Sequence, residues 1–174
     1  KITYHRLMTN TSQNAELKHF CILPWIHLYI GPNGSVNPCC STTDIYRAGS
    51  IREEKLKDIW NSDQLKEIRL KILKGQLPDA CQSCYRLEKH GFKSDRLKSN
   101  EHFQHLKHLT EETKSDGSLE NFDLRYLDVR FSNHCNLSCR ICRPNSSTSW
   151  YPDAKFLGMT HMDLTKTITP TPGN

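Results

Sequence analysis

Eight cysteines in 174 residues constrain this chain more than any other feature of its sequence. Three of them form one compact unit with C-x3-C-x2-C spacing, at Cys135, Cys139 and Cys142. An even number of cysteines favours disulfides in a secreted chain, whereas in a reducing compartment it indicates metal ligands. The spacings therefore decide between these uses. The other five cysteines all lie upstream, at Cys21, Cys39, Cys40, Cys81 and Cys84.

Charge and hydropathy argue against a nucleic-acid-binding protein and against a membrane-spanning one. The formal net charge is +5, and positive and negative residues are mixed along the chain. This mixture favours an ordinary solvated surface, so we expect no nucleic-acid partner. The longest apolar run, residues 21–30, is interrupted by Pro24 and His27 and is shorter than the roughly 18 residues of a membrane span. We expect a soluble, cytoplasmic protein that is not bound to a membrane.

The C-terminal cysteine triplet directly follows a predicted strand. In residues 124–131 the apolar side chains of Leu127, Val129 and Phe131 alternate with charged ones, as in a β-strand. Three thiolates in one loop hold three irons of a cubic [4Fe–4S] cluster, whereas four would saturate it. One iron is then open to a ligand. A zinc site or free structural thiols are the alternatives, but zinc sites normally use paired C-x2-C units.

The segment FSNHCNLSCRIC resembles the signature loop of the radical S-adenosylmethionine (radical SAM) superfamily. The resemblance implies that Cys135, Cys139 and Cys142 bind a [4Fe–4S] cluster whose open iron binds S-adenosylmethionine. One electron from that cluster then cleaves S-adenosylmethionine to methionine and a 5′-deoxyadenosyl radical, which abstracts hydrogen from substrate. It also implies that Ile141, at a position usually aromatic in the superfamily, lies beside the adenine.

Two weaker patterns accompany the triplet. A run of hydroxyl side chains, residues 146–149, stands at a predicted helix start. Ser146 and Ser147 are candidates to contact the carboxylate of S-adenosylmethionine, although capping of the helix is the favoured interpretation. A second pattern has one histidine every three residues, and a solvated helix face is favoured there over a metal-binding face. Its members are His102, His105 and His108.

The upstream cysteines have a different spacing. Cys21, Gly34 and Cys39 read C-x12-G-x4-C, and Cys81 and Cys84 form a C-x2-C unit. Asn-Gly at residues 33–34 predicts a hairpin turn that returns the chain toward its start. A helix is predicted over residues 63–74, capped by the preceding serine and with one apolar stripe. The spacing alone leaves a four-cysteine iron–sulfur cluster and a four-cysteine zinc site open.

This region resembles the auxiliary-cluster extensions of radical SAM enzymes, which are called SPASM in full length and twitch in the shorter, single-cluster form. The resemblance rests on CILPWIHLYIGPNGSVNPCC, on IREEKLKDIWNSDQLKEIRLKILKG and on CQSC. It implies a second, auxiliary [4Fe–4S] cluster. Either Cys39 or Cys40 is the spare cysteine, and the G-x4-C spacing favours Cys39 as the ligand. The implied ligands are Cys21, Cys39, Cys81 and Cys84.

The predicted fold class is α+β. A polar segment (1–20) precedes a twitch-like domain of a β-hairpin and helices (21–92). A polar helix and linker (93–121) follow, and then the first βα unit of a truncated radical SAM (β/α)6 partial barrel (122–174). The chain starts at Lys1 and ends in a polar, Thr- and Pro-rich stretch, so we expect an N-terminal part of a longer enzyme. We expect this part alone to be inactive, and we assign it no catalytic residue.

By resemblance, the longer enzyme modifies a peptide, a protein or a small molecule. Its expected partners are that substrate and an electron donor such as flavodoxin or ferredoxin. The alternative is a non-catalytic zinc- or iron–sulfur-binding module that binds another macromolecule. An open iron at the Cys135 loop discriminates between the two hypotheses.

Overall fold

A small sheet organises the fold. The structure is a computed structural model and describes residues 18–42 and 44–159. The predicted stretches before residue 18 and after residue 159 lie outside the described residues. Helices pack on the sheet, so the predicted α+β class is confirmed. The strands are β1 (His27–Ile30), β2 (Ser35–Asn37), β3 (Gly49–Ser50) and β4 (Tyr126–Val129).

The strand order is β3-β2-β1-β4. β1 pairs with β2, and β2 with β3, in antiparallel fashion, whereas β1 and β4 are parallel. The predicted core domain therefore contributes its one described strand, β4, to the sheet of the N-terminal region. Within the described residues the predicted partial barrel is not shown.

The turn between β1 and β2 is the predicted one. Gly34 has a φ of 83°, a left-handed conformation that glycine adopts without steric cost. Its N–H donates to the carbonyl of Gly31 at 2.9 Å, and Gly31 N–H donates to the carbonyl of Ser35 at 2.8 Å. The side-chain oxygen of Asn33 accepts from Ser35 Oγ at 2.7 Å. The hairpin carries residue 39 back beside the start of β1.

Six α-helices and four 3₁₀ segments complete the described chain. The 3₁₀ segments are Asp44–Tyr46, Asp79–Cys81, Gln104–Glu112 and Thr148–Trp150. The α-helices are α1 (Leu23–Ile26), α2 (Leu56–Ile59), α3 (Asp63–Leu73), α4 (Gln82–Lys89), α5 (Asp95–His102) and α6 (Tyr151–Phe156). Among the described residues, none of these helices is long and apolar enough to cross a membrane.

Helix α3 follows the predicted pattern. Ser62 Oγ accepts from the N–H of Leu65 at 3.5 Å and caps the helix. Leu65, Ile68 and Ile72 are fully buried against the sheet side of the core. The last member of the predicted stripe, Leu73, is 38% exposed because the helix ends there.

A buried arginine on α3 joins distant parts of the core. Arg69 has no exposed surface, and its guanidinium donates to the carbonyls of Pro24 and Trp60, each at 2.9 Å, and of Gly117 at 3.3 Å. Its carbon Cζ lies 5.0 Å from the centre of the Trp60 ring. Burial lowers the pKa of Arg69 to about 10, so the side chain is charged at neutral pH. The cation thus ties α1, α2 and the segment after residue 112 to α3.

Two predicted elements differ in the structure. The strand expected after Pro24 in the apolar run 21–30 becomes extended only at His27, because Pro24 presets a helical turn in α1. The polar helix predicted within residues 93–121 ends as α5 at His102, and the chain continues as a 3₁₀ segment. In that segment Phe103, Leu106 and Leu109 face the core, and a three-residue repeat is the period of a 3₁₀ helix.

The polar segment predicted as a linker, residues 110–121, packs on the core. Thr113 Oγ1 accepts from the indole N–H of Trp25 at 2.8 Å. Asn61 exchanges two hydrogen bonds with the backbone of Leu119, at 2.8 and 2.9 Å. Gly117 lies so close to α3 that an added Cβ would stand 2.5 Å from the carbonyl oxygen of Lys66. The segment therefore fixes the path of the chain between α5 and β4.

Candidate metal centres

The fold brings four of the upstream cysteines together. Cys21 precedes α1, Cys39 follows β2, and Cys81 and Cys84 lie at the start of α4. Cys21 and Cys84 are buried, and Cys39 and Cys81 are partly buried. The charges of the other three thiols all act on Cys21, so all three lie within electrostatic reach of its thiol. We refer to these four residues as the four-cysteine group.

Burial dominates the electrostatics of this group. It raises the pKa of the Cys21 thiol well above its ordinary value, and the nearby Cys81 and Cys39 raise it further. The pKa of Cys81 rises to about 12 for the same two reasons. Burial also raises the pKa of Cys39, against an opposing contact of 3.3 Å between its Sγ and Thr42 Oγ1. Without metal, the thiols of Cys21, Cys39 and Cys81 are protonated at neutral pH, so metal binding to them must release protons.

The neighbouring Cys40 has different surroundings. It is exposed, and the charged side chains that act on it are Asp128, Asp95 and Arg130. It does not act on Cys21 or on Cys81 as Cys39 does. The structure thus places Cys39 inside the four-cysteine group and Cys40 beside β4. The ligand role of Cys39 itself remains a prediction.

Helix α5 holds the backbone on both sides of Cys21. Arg96 Nη1 donates to the carbonyl of Phe20 at 2.7 Å, and Asn100 Nδ2 donates to the same oxygen at 2.8 Å. Asn100 Oδ1 accepts from the N–H of Ile22 at 2.9 Å. These bonds connect residues 76 to 80 positions apart in the chain. Neither side chain is visible in the residue spacing, because the partners of both are backbone groups distant in the sequence.

An ion pair links α4 to α5 beside the group. Arg96 Nε donates to Glu88 Oε1 at 3.0 Å, and its Nη2 pairs with Glu88 Oε2. Ser94 Oγ, at the N-cap of α5, also donates to Glu88. Burial alone would raise the pKa of Glu88, but the hydrogen bonds from Arg96 and Ser94 outweigh it and hold the pKa below its ordinary value. The pair places a permanent cation near the buried thiols.

Tyr85 packs its ring against the cation of this ion pair. It follows Cys84 on α4, and the guanidinium carbon of Arg96 lies 4.7 Å from the centre of its ring. The thiols of Cys81 and Cys21 are close enough to act on its hydroxyl. The hydroxyl oxygen is buried, and the residues that the structure describes offer it no hydrogen-bond partner. No motif in the sequence indicates a role for Tyr85.

The second group of cysteines lies in the loop after β4, which we call the three-cysteine loop (residues 135–142). Cys139 is exposed, and Cys135 and Cys142 are partly buried. The N–H of Cys142 donates to the carbonyl of Cys139 at 2.9 Å and closes a turn between them. Ile141 is 95% exposed, so nothing in the described chain covers the position predicted to adjoin the adenine.

The hydroxyl run after the loop holds the loop in place. Ser149 Oγ donates to the carbonyl of Cys135, and Ser147 Oγ to that of Leu137, both at 2.7 Å. Ser147 is fully buried and Ser146 is partly buried. Neither the 3₁₀ segment after Ser147 nor α6 has a side-chain cap, so the predicted capping role is wrong. The hydroxyls bind loop carbonyls instead, and the predicted contacts of Ser146 and Ser147 with a cofactor remain predictions.

Asn133, buried just before the loop, adds to this support. Its carbonyl accepts from Thr148 N–H at 2.9 Å, and its Nδ2 donates to the hydroxyl oxygen of Tyr151 at 2.6 Å. Both contacts reach across the loop to the hydroxyl run and to α6. The sequence signals this role only by the position of Asn133, two residues before the first cysteine of the loop.

The two groups adjoin different ends of the β1–β4 pair. Cys39 follows Pro38, whose carbonyl accepts from His27 Nδ1 at 2.9 Å at the start of β1. The three-cysteine loop instead follows the end of β4, and β4 runs parallel to β1 in register. Strands of four residues span about 10 Å. The sheet therefore separates the groups along the strand direction.

Among the described residues, neither the four-cysteine group nor any other set of three histidine, cysteine, aspartate or glutamate side chains is arranged closely enough to hold a single metal ion. The histidines at 102, 105 and 108 are all exposed. Phe103, Leu106 and Leu109, which face the core, have the same three-residue spacing. Both spacings match the period of the 3₁₀ helix in this segment.

These features define a small α+β protein with cysteine-rich centres. Residues 21–85 match the family model of SPASM, an iron–sulfur cluster-binding domain. The match includes every residue of the four-cysteine group and ends before the three-cysteine loop. The predicted resemblance of the N-terminal region to SPASM is thereby confirmed. No curated protein and no solved structure matches the chain.

Proposed function

We propose that this chain is the cluster-bearing part of a radical SAM enzyme. In this proposal Cys21, Cys39, Cys81 and Cys84 bind an auxiliary [4Fe–4S] cluster, and the three-cysteine loop binds a second [4Fe–4S] cluster with one open iron. The observation that carries the proposal is the coincidence of the SPASM match with the four-cysteine group. SPASM domains are typical of radical SAM enzymes.

The four-cysteine group suits a cluster in its donor set. All its thiols are free, and four thiolates saturate a [4Fe–4S] cluster. Helix α5 binds the carbonyl before Cys21 and the N–H after it, so this ligand is held before any metal arrives. The Arg96 cation stabilises negative charge on the thiolates.

The three-cysteine loop suits a cluster with an open site. Three thiols can ligate three irons. The loop lies at the surface, and the side chain of Ile141 within it is exposed. When bound there, such a cluster supplies the electron that cleaves S-adenosylmethionine. Ser147 and Ser149 contribute by fixing two carbonyls of the loop. We further propose flavodoxin or ferredoxin as electron donor and a peptide or protein as substrate.

Anaerobic reconstitution with iron and sulfide tests the proposal. The full chain should bind about eight irons, from two clusters of four. A variant with alanine at all of the four-cysteine group, and another with alanine at Cys135, Cys139 and Cys142, should each retain about four. Electron paramagnetic resonance of the reduced protein should change on addition of S-adenosylmethionine only where the three-cysteine loop is intact.

Two outcomes would contradict the proposal. About one or two zinc ions per chain with little iron would indicate a zinc-binding interaction module. Two clusters of which neither responds to S-adenosylmethionine would indicate an iron–sulfur module without this chemistry. In the second case, the similarity of residues 21–85 to the SPASM family would still hold.

A further inference from the structure

Tyr85 carries a buried hydroxyl that the fold leaves unused. Buried polar atoms almost always have a hydrogen-bond partner, and an unsatisfied one costs stability. Among the described residues none provides a partner for Tyr85 Oη. An orphaned hydroxyl in a native fold indicates a ligand, an ion or a water at that place.

The surroundings of the hydroxyl identify that ligand. Tyr85 directly follows Cys84, and Cys81 and Cys21 lie within electrostatic reach of its hydroxyl. Arg96 covers one face of the ring at 4.7 Å, and the ring of His19 lies 5.1 Å from it. Arg96 is itself fixed by Glu88 and by the carbonyl of Phe20. The ring is therefore held against Arg96, which also binds the carbonyl preceding Cys21, and it directly follows Cys84 on α4.

We infer that Tyr85 Oη donates a hydrogen bond to a sulfur of the cluster bound by the four-cysteine group and thereby raises the reduction potential of that cluster. The inference rests on the proposed function, because it requires a cluster at this place. Tyr85 is a positioning and tuning residue and not a ligand, since four thiols already saturate the cluster.

The direction of the effect follows from charge. Reduction adds one negative charge to the cluster, and a hydrogen bond to sulfur stabilises the more negative state. Loss of the hydroxyl therefore favours the oxidised cluster. A hydrogen bond to a charged group changes the equilibrium constant for reduction by about tenfold, which is about 59 mV for one electron.

The experiment uses the full chain with alanine at Cys135, Cys139 and Cys142, so that only the four-cysteine group can hold a cluster. In this background Tyr85→Phe removes the hydroxyl and keeps the ring beneath Arg96. Tyr126→Phe is the matched control, because Tyr126 stacks on His27 and Phe103 instead. Redox titration followed by electron paramagnetic resonance gives the potential of each protein.

A second measurement needs no substitution at Tyr85. Tyrosine labelled with a magnetic isotope of oxygen is incorporated into the background chain, and pulsed electron paramagnetic resonance detects its coupling to the reduced cluster. The label should couple in the background chain and in Tyr126→Phe. This measurement tests the hydrogen bond to the cluster even if Tyr85→Phe does not retain a cluster.

The expected result is a potential lower by about 59 mV in Tyr85→Phe, unchanged in Tyr126→Phe, together with the isotope coupling. An unchanged potential in a fully loaded Tyr85→Phe, or the absence of coupling in a loaded background chain, would overturn the inference and leave the proposed function intact. A background chain that binds no iron and sulfide would overturn both.

Discussion

His27 on β1 and Tyr126 on β4 lie directly opposite each other, and the centres of their rings are 4.4 Å apart. His27 is buried, and its Nδ1 donates to the carbonyl of Pro38. Burial lowers the pKa of His27, so the ring is neutral at physiological pH and stacks without a charge. The residue pair thus joins the region that matches SPASM to the strand that precedes the three-cysteine loop.

Replacing a single cysteine should separate the ligands from the spare. We expect Cys21→Ala to lower the iron content from about eight to about four per chain, because the four-cysteine group then lacks one ligand. Cys40→Ala should keep about eight, since Cys40 lies beside Asp128 and outside the group. Iron and sulfide analysis after reconstitution measures both. Retention of eight irons by Cys21→Ala would contradict the ligand assignment.

Arg69→Met should destabilise the fold strongly. The substitution keeps an apolar stem but leaves the carbonyls of Pro24, Trp60 and Gly117 without their donor. We expect a loss of about 3 kcal/mol in the free energy of unfolding. Denaturant unfolding of the metal-free protein measures it. Arg86→Met is the control, because Arg86 is exposed on α4, and an equal loss in both variants would refute the role of Arg69.

Glu88→Gln should change how stability depends on pH. Above about pH 4.5 Glu88 is ionised and paired with Arg96, and because its pKa is depressed in the folded protein, this stabilisation is lost as the pH falls through that pKa. At pH 7 the variant should be less stable by about 2 kcal/mol. The difference should shrink toward pH 3. Thermal unfolding across this range measures it.

The control for that experiment is Glu111→Gln. Glu111 is exposed in the 3₁₀ segment that follows α5. The thermal stability of Glu111→Gln should equal that of the unsubstituted protein at every pH. A constant difference between Glu88→Gln and the unsubstituted protein from pH 7 to pH 3 would show that the ion pair does not titrate as argued.

The hydroxyl run should matter only for the three-cysteine loop. Ser149→Ala removes the 2.7 Å hydrogen bond to the carbonyl of Cys135 and should destabilise the loop by about 1 kcal/mol. We expect faster loss of iron from the second cluster under a chelator, while the four-cysteine group keeps its iron. Ser138→Ala is the control, because its hydroxyl lies 3.5 Å from its acceptor and contributes little. Equal rates in the two variants would contradict the prediction.

Local patterns predicted the local parts of this fold. The Asn33-Gly34 turn and the buried stripe of α3 follow from two- to eight-residue spacings, and both are present. The hairpin turn predicted the return of Cys39 toward Cys21, whereas the complete four-cysteine set followed from the resemblance to auxiliary-cluster domains. The G-x4-C spacing favoured Cys39 over Cys40 but did not decide between them, because adjacent residues have nearly the same spacing. Only the folded chain gives the two cysteines different neighbours.

The missed features are long-range. Arg69, Arg96 and Asn100 bind backbone groups 45 or more positions away in the chain, and no periodicity encodes such partners. The helix predicted beyond residue 102 failed for a different reason. Apolar residues there recur every three positions, which fits the tighter 3₁₀ helix better than the 3.6-residue repeat assumed for it.

The parallel pairing of β1 with β4 has a consequence for synthesis of the chain. During translation, Cys84 and then α5 are synthesised before Tyr126. Until β4 arrives, one edge of β1 is open, and an unpaired strand edge invites association with other chains. Nascent protein at this stage already contains every thiol of the four-cysteine group.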